Sequence, residues 1–188
     1  MADTGARRMR ADARRNRERL LGAADEGFRE HGTECSLEQI ARRAGVSIGT
    51  LYAHFPSRAA LAAALLRDRH DSLFALGESL RAEKSSIDAL ATWMRAVVEH
   101  AAAYRGLASF LANGLGDAAS ELHEDCARLA QTSEGLVAKA RKARVIATGV
   151  TEADVLAVTN AAAWTREHVS ASQADRLLDL ALRGLRSR

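Results

Sequence analysis

The chain has 188 residues with a net charge of +3, and 47% of them are hydrophobic whereas only 4% are aromatic. No apolar run is long enough to span a membrane, and the basic N-terminus carries no apolar signal region. The two cysteines do not form a disulfide framework. Membrane and secreted classes are therefore disfavoured, and we expect a cytoplasmic protein. One proline in an alanine- and leucine-rich chain predicts an all-α fold of about nine helices.

The N-terminal segment is strongly basic, because its first twenty residues contain seven arginines against two aspartates and one glutamate. We predict that residues 1–15 form a flexible arm, either a solvated tail or a contact for DNA phosphates or the minor groove. The first helix is expected to run from near Asn16 to Gly32. Its inner stripe extends from Leu20 to Phe28.

Residues 36–58 have the pattern of two short helices joined by a tight turn. Ser36 is a candidate N-cap of the first helix, and Gly45 suits the left-handed conformation that ends it. Ser47 is a candidate cap of the second helix, which Pro56 stops. A helix-turn-helix of this kind places its second helix in the DNA major groove.

Two separated motifs in this region resemble the DNA-binding domain of the TetR (tetracycline-repressor) family. They are Phe28-Arg29-Glu30-His31-Gly32 and Gly45-Val46-Ser47-x-Gly49-Thr50-Leu51-Tyr52-x-His54-Phe55-Pro56-Ser57-Arg58. The resemblance covers about residues 16–66. It implies a three-helix DNA-binding domain over residues 16–60 and a six-helix ligand-binding and dimerisation domain over residues 61–188.

The resemblance also implies which residues of the second helix read bases. Ile48, Gly49 and Thr50 match positions that meet base edges in the family. Thr50 could hydrogen-bond a base or touch a thymine methyl. Ile48 stands where many relatives carry a polar or basic residue. At this position the protein would therefore recognise DNA through apolar contact or through DNA shape.

A second set matches positions that mostly hold DNA phosphates: Tyr52, His54 and Arg58 all carry suitable hydrogen-bond donors. The free N–H groups after Ser36 offer another phosphate site, and Ser47 completes the predicted DNA-binding set. For Tyr52 and His54, the alternative is packing and capping within a small helical domain.

Six further helices are predicted from apolar periodicity and capping signals. Their starts lie near residues 57, 86, 107, 118, 151 and 172. In the family, the first of these helices links the DNA-binding head to the regulatory body, and the resemblance implies the same role here.

Two tryptophans and a phenylalanine among many alanines predict a cavity for a small, largely apolar ligand in this body. For any single residue, plain core packing is the alternative. We expect the ligand to bind between the helices that start near residues 57, 86 and 118. The candidate ligand-binding residues are Trp93, Met94, His100, Phe110, Leu111, Asn113, Cys126, Leu136 and Trp164.

The last helix carries leucines around more than one face, which suggests a second buried surface. The resemblance implies that the last two helices pair with their symmetry mates as a four-helix bundle. The predicted dimer-interface residues are Val155, Val158, Ala162, Leu177, Leu178 and Leu185.

No catalytic constellation or nucleotide-binding motif is apparent, so we expect no enzyme and no cofactor. His123 and Cys126 are spaced as two metal ligands could be, but they lack a clear third and fourth ligand, and no metal is expected. Three functions remain open. The favoured one is a transcriptional repressor that a ligand releases from a palindromic operator. The others are a constitutive or architectural DNA-binding dimer and a helical small-molecule-binding protein or enzyme.

Overall fold

The computed structural model describes residues 3–83, 86–114 and 121–186, and within them the side chains of all but 3–10, 112–114 and 121–122. These ranges contain nine α-helices and no strand, which confirms the predicted all-α class. None of the described helices is both long and apolar enough to cross a membrane. The helices are α1 Asp3–His31, α2 Leu37–Arg43, α3 Ile48–His54, α4 Arg58–Ala82, α5 Ser86–Ala101, α6 Leu107–Gly114, α7 Glu121–Lys142, α8 Glu152–His168 and α9 Ala171–Leu185.

Polar side chains cap the starts of five of these helices. Ser36, Ser47 and Ser57 each accept a hydrogen bond from the backbone N–H three residues later, as Ser170 does before α9. Before α8, Thr151 forms a reciprocal capping box with the side chain of the third helical residue. The predicted starts of α2, α3, α4 and α8 are therefore confirmed.

The structure of the N-terminal segment differs from the sequence-based prediction. Helix α1 begins at Asp3, so the expected flexible arm over residues 1–15 is helical from that residue onward, and the helix does not start near Asn16. Alanine and arginine are strong helix formers, and no proline interrupts the segment. Ion pairs one turn apart, Asp12–Arg15 and Arg14–Glu18, add local support.

Two hydrophobic clusters divide the molecule into a head and a body. The head comprises α1–α3 and the first turns of α4, and Tyr104, Leu107 and Cys126 pack into the same cluster. The body comprises the rest of α4 with α5 and α7–α9. Helix α4 contributes Leu61 and Leu66 to the head cluster and Leu73 and Leu80 to the body cluster. The predicted boundary at residue 60 therefore lies within a head core that extends to Leu66. Because α4 is continuous, a tilt of its body half is transmitted to the head.

A second junction joins head to body where two loops meet. The backbone N–H of Thr33, between α1 and α2, donates to the carbonyl of Arg105 at 2.9 Å, just before α6. Gly32 and Gly106 flank this contact, and both have φ +81°. A Cβ on Gly106 would lie only 2.8 Å from the Thr33 hydroxyl, so the close approach requires glycine there. Helix α6 is thus tied to the head at its N-terminal end.

Candidate nucleic-acid interface and effector cavity

Helix α3 packs onto the head by one face and exposes the other. Leu51 is fully buried and Phe55 is buried beside it, whereas Ile48 is half-buried against the same core. Only part of the Ile48 side chain is therefore available for the predicted apolar contact with bases. This inner face holds α3 firmly enough to present its outer face in one orientation.

The outer face of α3 carries Gly49, Thr50 and Tyr52. The Tyr52 side chain is 47% exposed, and Gly49 lies at the surface. A Cβ built on Gly49 would meet only the Ser47 hydroxyl, at 3.8 Å, so packing does not require glycine at this position. The Thr50 hydroxyl lies 2.9 Å from that of Ser47, which also caps the helix. Short and polar groups thus form the surface predicted to meet base edges.

His54 and Ser36 are less available for DNA phosphates than the sequence pattern implies. The half-buried His54 ring lies 6.3 Å from that of Phe55. The Ser36 hydroxyl accepts from Gln39 N and donates to the Glu38 carboxylate at 2.7 Å, and this hydrogen bond lowers the pKa of Glu38. An anionic side chain therefore already lies at the start of α2, which disfavours the predicted phosphate site there.

Arg58 is a correction, because the structure engages its guanidinium inside the head. One Nη donates to the carbonyls of Thr33 and Cys35, at 2.7 Å and 2.5 Å, and the side chain is half-buried. These contacts bind the first turn of α4 to the loop between α1 and α2. The residue is therefore a structural support of the head, and the predicted phosphate contact is not supported.

We expect Arg58→Ala to lower the free energy of unfolding by about 1–3 kcal/mol, because it removes the charged donor of two loop carbonyls. Arg42→Ala is the matched control, since it removes an arginine from the exposed face of α2. Denaturant unfolding of both variants measures the difference. Equal stabilities would show that the Arg58 contacts do not support the head.

Two arginines of α1 lie beside the helix-turn-helix and were not singled out from the sequence. The Arg17 guanidinium carbon lies 5.5 Å from the centre of the Phe55 ring, at the C-terminal end of α3. Arg19 donates to the carbonyl of Gly45, at 3.3 Å, in the turn between α2 and α3. The basic N-terminal composition gave their charge, but their contacts with Phe55 and Gly45 depend on how α1 packs against α2 and α3.

A cavity of about 90 Å³ lies in the body between α5, α6, α7 and α8. Three of the predicted ligand-binding residues line it: His100, Leu111 and Cys126. The ligand was expected between α4, α5 and α7; α5 and α7 border this cavity together with α6 and α8, whereas α4 does not. One lining residue, Leu156 of α8, is 40% exposed.

The other predicted ligand-binding residues lie elsewhere. Trp93, Met94 and Leu136 are buried in the body core, and Phe110 is half-buried against the head cluster. Trp164 is 53% exposed on α8, where it stacks on His168 instead of lining a cavity. Asn113 lies in α6, and its side chain falls outside the described residues. Within the described ranges, no three metal-ligating side chains are grouped closely enough to hold an ion.

Comparison with known proteins matches both parts of this architecture. Residues 20–65 match the model of the bacterial regulatory proteins of the tetR family, and residues 85–187 match the C-terminal domain of SbtR-like transcriptional regulators. The chain belongs to the TetR family. It is a transcriptional regulator with an N-terminal DNA-binding domain and a C-terminal ligand-binding domain, and its relatives are regulators and not enzymes.

Two TetR-family regulators resemble it over nearly their whole length, and a third regulator resembles it over about half of its length. The TetR regulator SCO0520 of Streptomyces coelicolor is 35% identical with a TM-score of 0.60, over 90% of this chain and 98% of that one. A TetR regulator of Mycobacterium vanbaalenii is 31% identical with a TM-score of 0.54, and the match covers 95% of this chain and 99% of that one. The regulator TtgW of Pseudomonas putida is 39% identical over 69 residues, which are 36% of this chain and 52% of TtgW.

Three of the six predicted dimer-interface residues of this TetR-family chain require correction. Val155, Ala162 and Leu178 are buried in the core of their own subunit, at 2%, 0% and 0% exposure. Val158, Leu177 and Leu185 are partly buried against that same core. Helical periodicity identified the apolar residues of α8 and α9 but not which of them face the subunit's own interior. Residues buried within one subunit cannot provide most of a contact with another.

Proposed function

We propose that this protein is a repressor that binds a palindromic operator as a homodimer and is released by a small, largely apolar effector. The proposal rests on the outer face of α3, which presents the exposed Gly49 and Tyr52 and the half-buried Thr50. Arg17 and Arg19 of α1 lie beside the helix-turn-helix. Positive charge beside a reading helix favours DNA phosphates. A helix of seven residues reads only a few base pairs, so specificity requires two half-sites, separated by about 34–36 Å.

The dimer is proposed to form through the solvent-facing stripes of α8 and α9. On α8 the stripe contains Ala157, Ala161 and Trp164, all of them exposed. On α9 it contains Leu180, which is 64% exposed, and Gly184, where an added Cβ would meet nothing within 4 Å. Small residues around large apolar ones allow two helix pairs to approach closely. These stripes replace the three buried residues predicted from the sequence, whereas the partly exposed Val158, Leu177 and Leu185 stay predictions.

Release is proposed to pass through α6, which borders the cavity and is tied to the head. Tyr104, just before α6, donates its hydroxyl hydrogen bond to Asp25 of α1 at 2.6 Å, and its ring packs edge-on against Phe28 at 5.7 Å. Burial raises the pKa of Tyr104 to about 12, so it remains a donor at neutral pH. Tyr104 and Leu107 both belong to the head cluster. A ligand that displaces α6 therefore acts directly on the head.

Helix α4 offers a second connection, because His70 hydrogen-bonds Asp125 of α7 at 2.7 Å. Movement of α7 would tilt α4 and alter the spacing of the two recognition helices. The two spacings, one that fits the operator and one that does not, are in equilibrium. A ligand shifts that equilibrium only by the difference between its affinities for the two spacings. A coupling of ~1–3 kcal/mol would lower operator affinity about 5–150-fold.

The test uses reciprocity between the two sites. Small apolar molecules that raise the melting temperature are titrated calorimetrically into the dimer, with and without a duplex selected from random DNA. Operator should weaken ligand binding by the same factor by which ligand weakens operator binding. Tyr104→Phe should reduce this factor while leaving the fold intact. Equal ligand affinity in both titrations would support the alternative, a constitutive DNA-binding dimer.

A further inference from the structure

The polar side of the effector cavity contains an unusual group, a fully buried histidine without a hydrogen-bond partner. His100 is 3% exposed, and neither of its ring nitrogens bonds any of the described residues. Buried polar groups are normally paired, because an unpaired one loses its hydration without replacement. His100 lines the cavity and also borders a groove between α4 and α5 that contains Asp68, Arg69 and Glu99. A molecule bound in the cavity can therefore supply the partner that one of its nitrogens lacks.

The neighbourhood of His100 keeps its ring neutral. The His70 ring lies 4.8 Å from it between centres, and the other side of His70 is bonded to Asp125. Burial, with the charges of His70 and Arg69 acting in the same direction, lowers the pKa of His100 to about 3. A neutral imidazole has one donor nitrogen and one acceptor nitrogen. The unmet requirement is therefore for an uncharged hydrogen-bonding group.

The rest of the lining excludes charge from the ligand. Most of the other lining side chains are apolar, and none of the lining residues is lysine, arginine, aspartate or glutamate. Two other polar residues line the cavity. The Ser133 hydroxyl already accepts from Trp93 Nε1 and donates to the carbonyl of Leu129, and Asn160 is an uncharged amide at the exposed side of α8. A carboxylate or ammonium would lose its hydration there without gaining a counter-charge.

We propose that the effector is an uncharged apolar molecule with a hydroxyl group, a phenol or small alcohol, whose hydroxyl is held by His100. This inference rests on the proposed effector role of the cavity. A hydroxyl both donates and accepts, so it satisfies whichever imidazole nitrogen faces the cavity. A cavity of about 150 Å³ is known to hold benzene. At about 90 Å³ this one admits an aromatic ring only if its lining moves, and α6 is part of that lining.

Three probes with the same body test the proposal by calorimetric titration of the full chain: 4-ethylphenol, ethylbenzene and 4-ethylbenzoate. The wild-type protein should bind 4-ethylphenol about threefold to tenfold more tightly than ethylbenzene, which is the net effect of one hydrogen bond. It should bind 4-ethylbenzoate most weakly. In His100→Leu, the preference for the phenol over ethylbenzene should disappear.

His100→Asn is the matched variant, because it retains a hydrogen-bonding group in similar space and should keep part of the preference. If His100→Leu does not fold, His100→Asn tests the hydrogen bond to the ligand hydroxyl in its place. Equal wild-type affinities for the phenol and ethylbenzene, or no binding of any probe, would overturn the proposal. Tightest binding of 4-ethylbenzoate would show an anionic effector instead. Phenol binding that leaves operator affinity unchanged would support the ligand class and contradict the repressor mechanism, so the two failures are distinguishable.

Discussion

Leu180→Glu is expected to convert the dimer into folded monomers and to lower operator affinity about 100-fold or more. Leu180 is 64% exposed on the proposed α8–α9 interface, so the charge does not disturb the subunit. In the dimer the same carboxylate would be buried without a partner, which costs several kcal/mol. A monomer reads only one half-site, so operator affinity is lost when the dimer is lost. Sedimentation measures the first effect, and fluorescence anisotropy with labelled operator measures the second.

Two other glutamate variants are controls for Leu180→Glu. Ala75→Glu adds the same charge to an exposed position of α4 and should leave a dimer that binds operator. Leu178→Glu places the charge at a site with 0% exposure and should unfold the subunit. A Leu180→Glu protein that still sediments as a dimer would exclude the proposed α8–α9 interface.

Gly49→Leu is expected to lower operator affinity about tenfold to a hundredfold while leaving the protein at least as stable as the wild type. The space above Gly49 is open, and leucine favours helix over glycine by roughly 0.5–1 kcal/mol. The new side chain would stand between α3 and the base edges, preventing contacts worth ~1–3 kcal/mol each. Thermal unfolding and anisotropy on the same samples measure both quantities.

Gly22→Leu is the control, since Gly22 lies on α1 at an exposed position where an added Cβ would meet nothing within 4 Å. It should raise stability in the same way without affecting DNA binding. Undiminished operator affinity in Gly49→Leu would show that the outer face of α3 does not contact DNA.

Local signals predicted the helices well, because caps and glycine stops act within a few residues. Ser47, Ser57 and Thr151 bond to the backbone as their positions in the sequence indicate. The N-terminal segment was mispredicted because its charge was given more weight than its helix propensity. Arginine is both basic and a strong helix former, and its local ion pairs favour the helix.

Side-chain partners were harder to predict, since they depend on tertiary packing. Arg58 occupies a family phosphate position, yet loop carbonyls brought close by the fold accept its hydrogen bonds. Leu178 and Leu180 are two residues apart, and periodicity alone does not show that one faces the subunit core and the other faces solvent. His100 was among the predicted ligand-binding residues, but its burial and its unpaired nitrogens appear only in the structure.

The most direct measurement of the central claim is selection of bound duplexes from random double-stranded DNA, carried out in parallel with wild-type protein and Thr50→Ala. The wild type should enrich a palindrome whose half-sites lie about one helical turn apart. Thr50→Ala should enrich a palindrome of the same spacing but with a relaxed or altered base at one position of each half-site. No enriched sequence with the wild type, or an identical consensus with both proteins, would contradict the assignment of α3 as the helix that reads the operator.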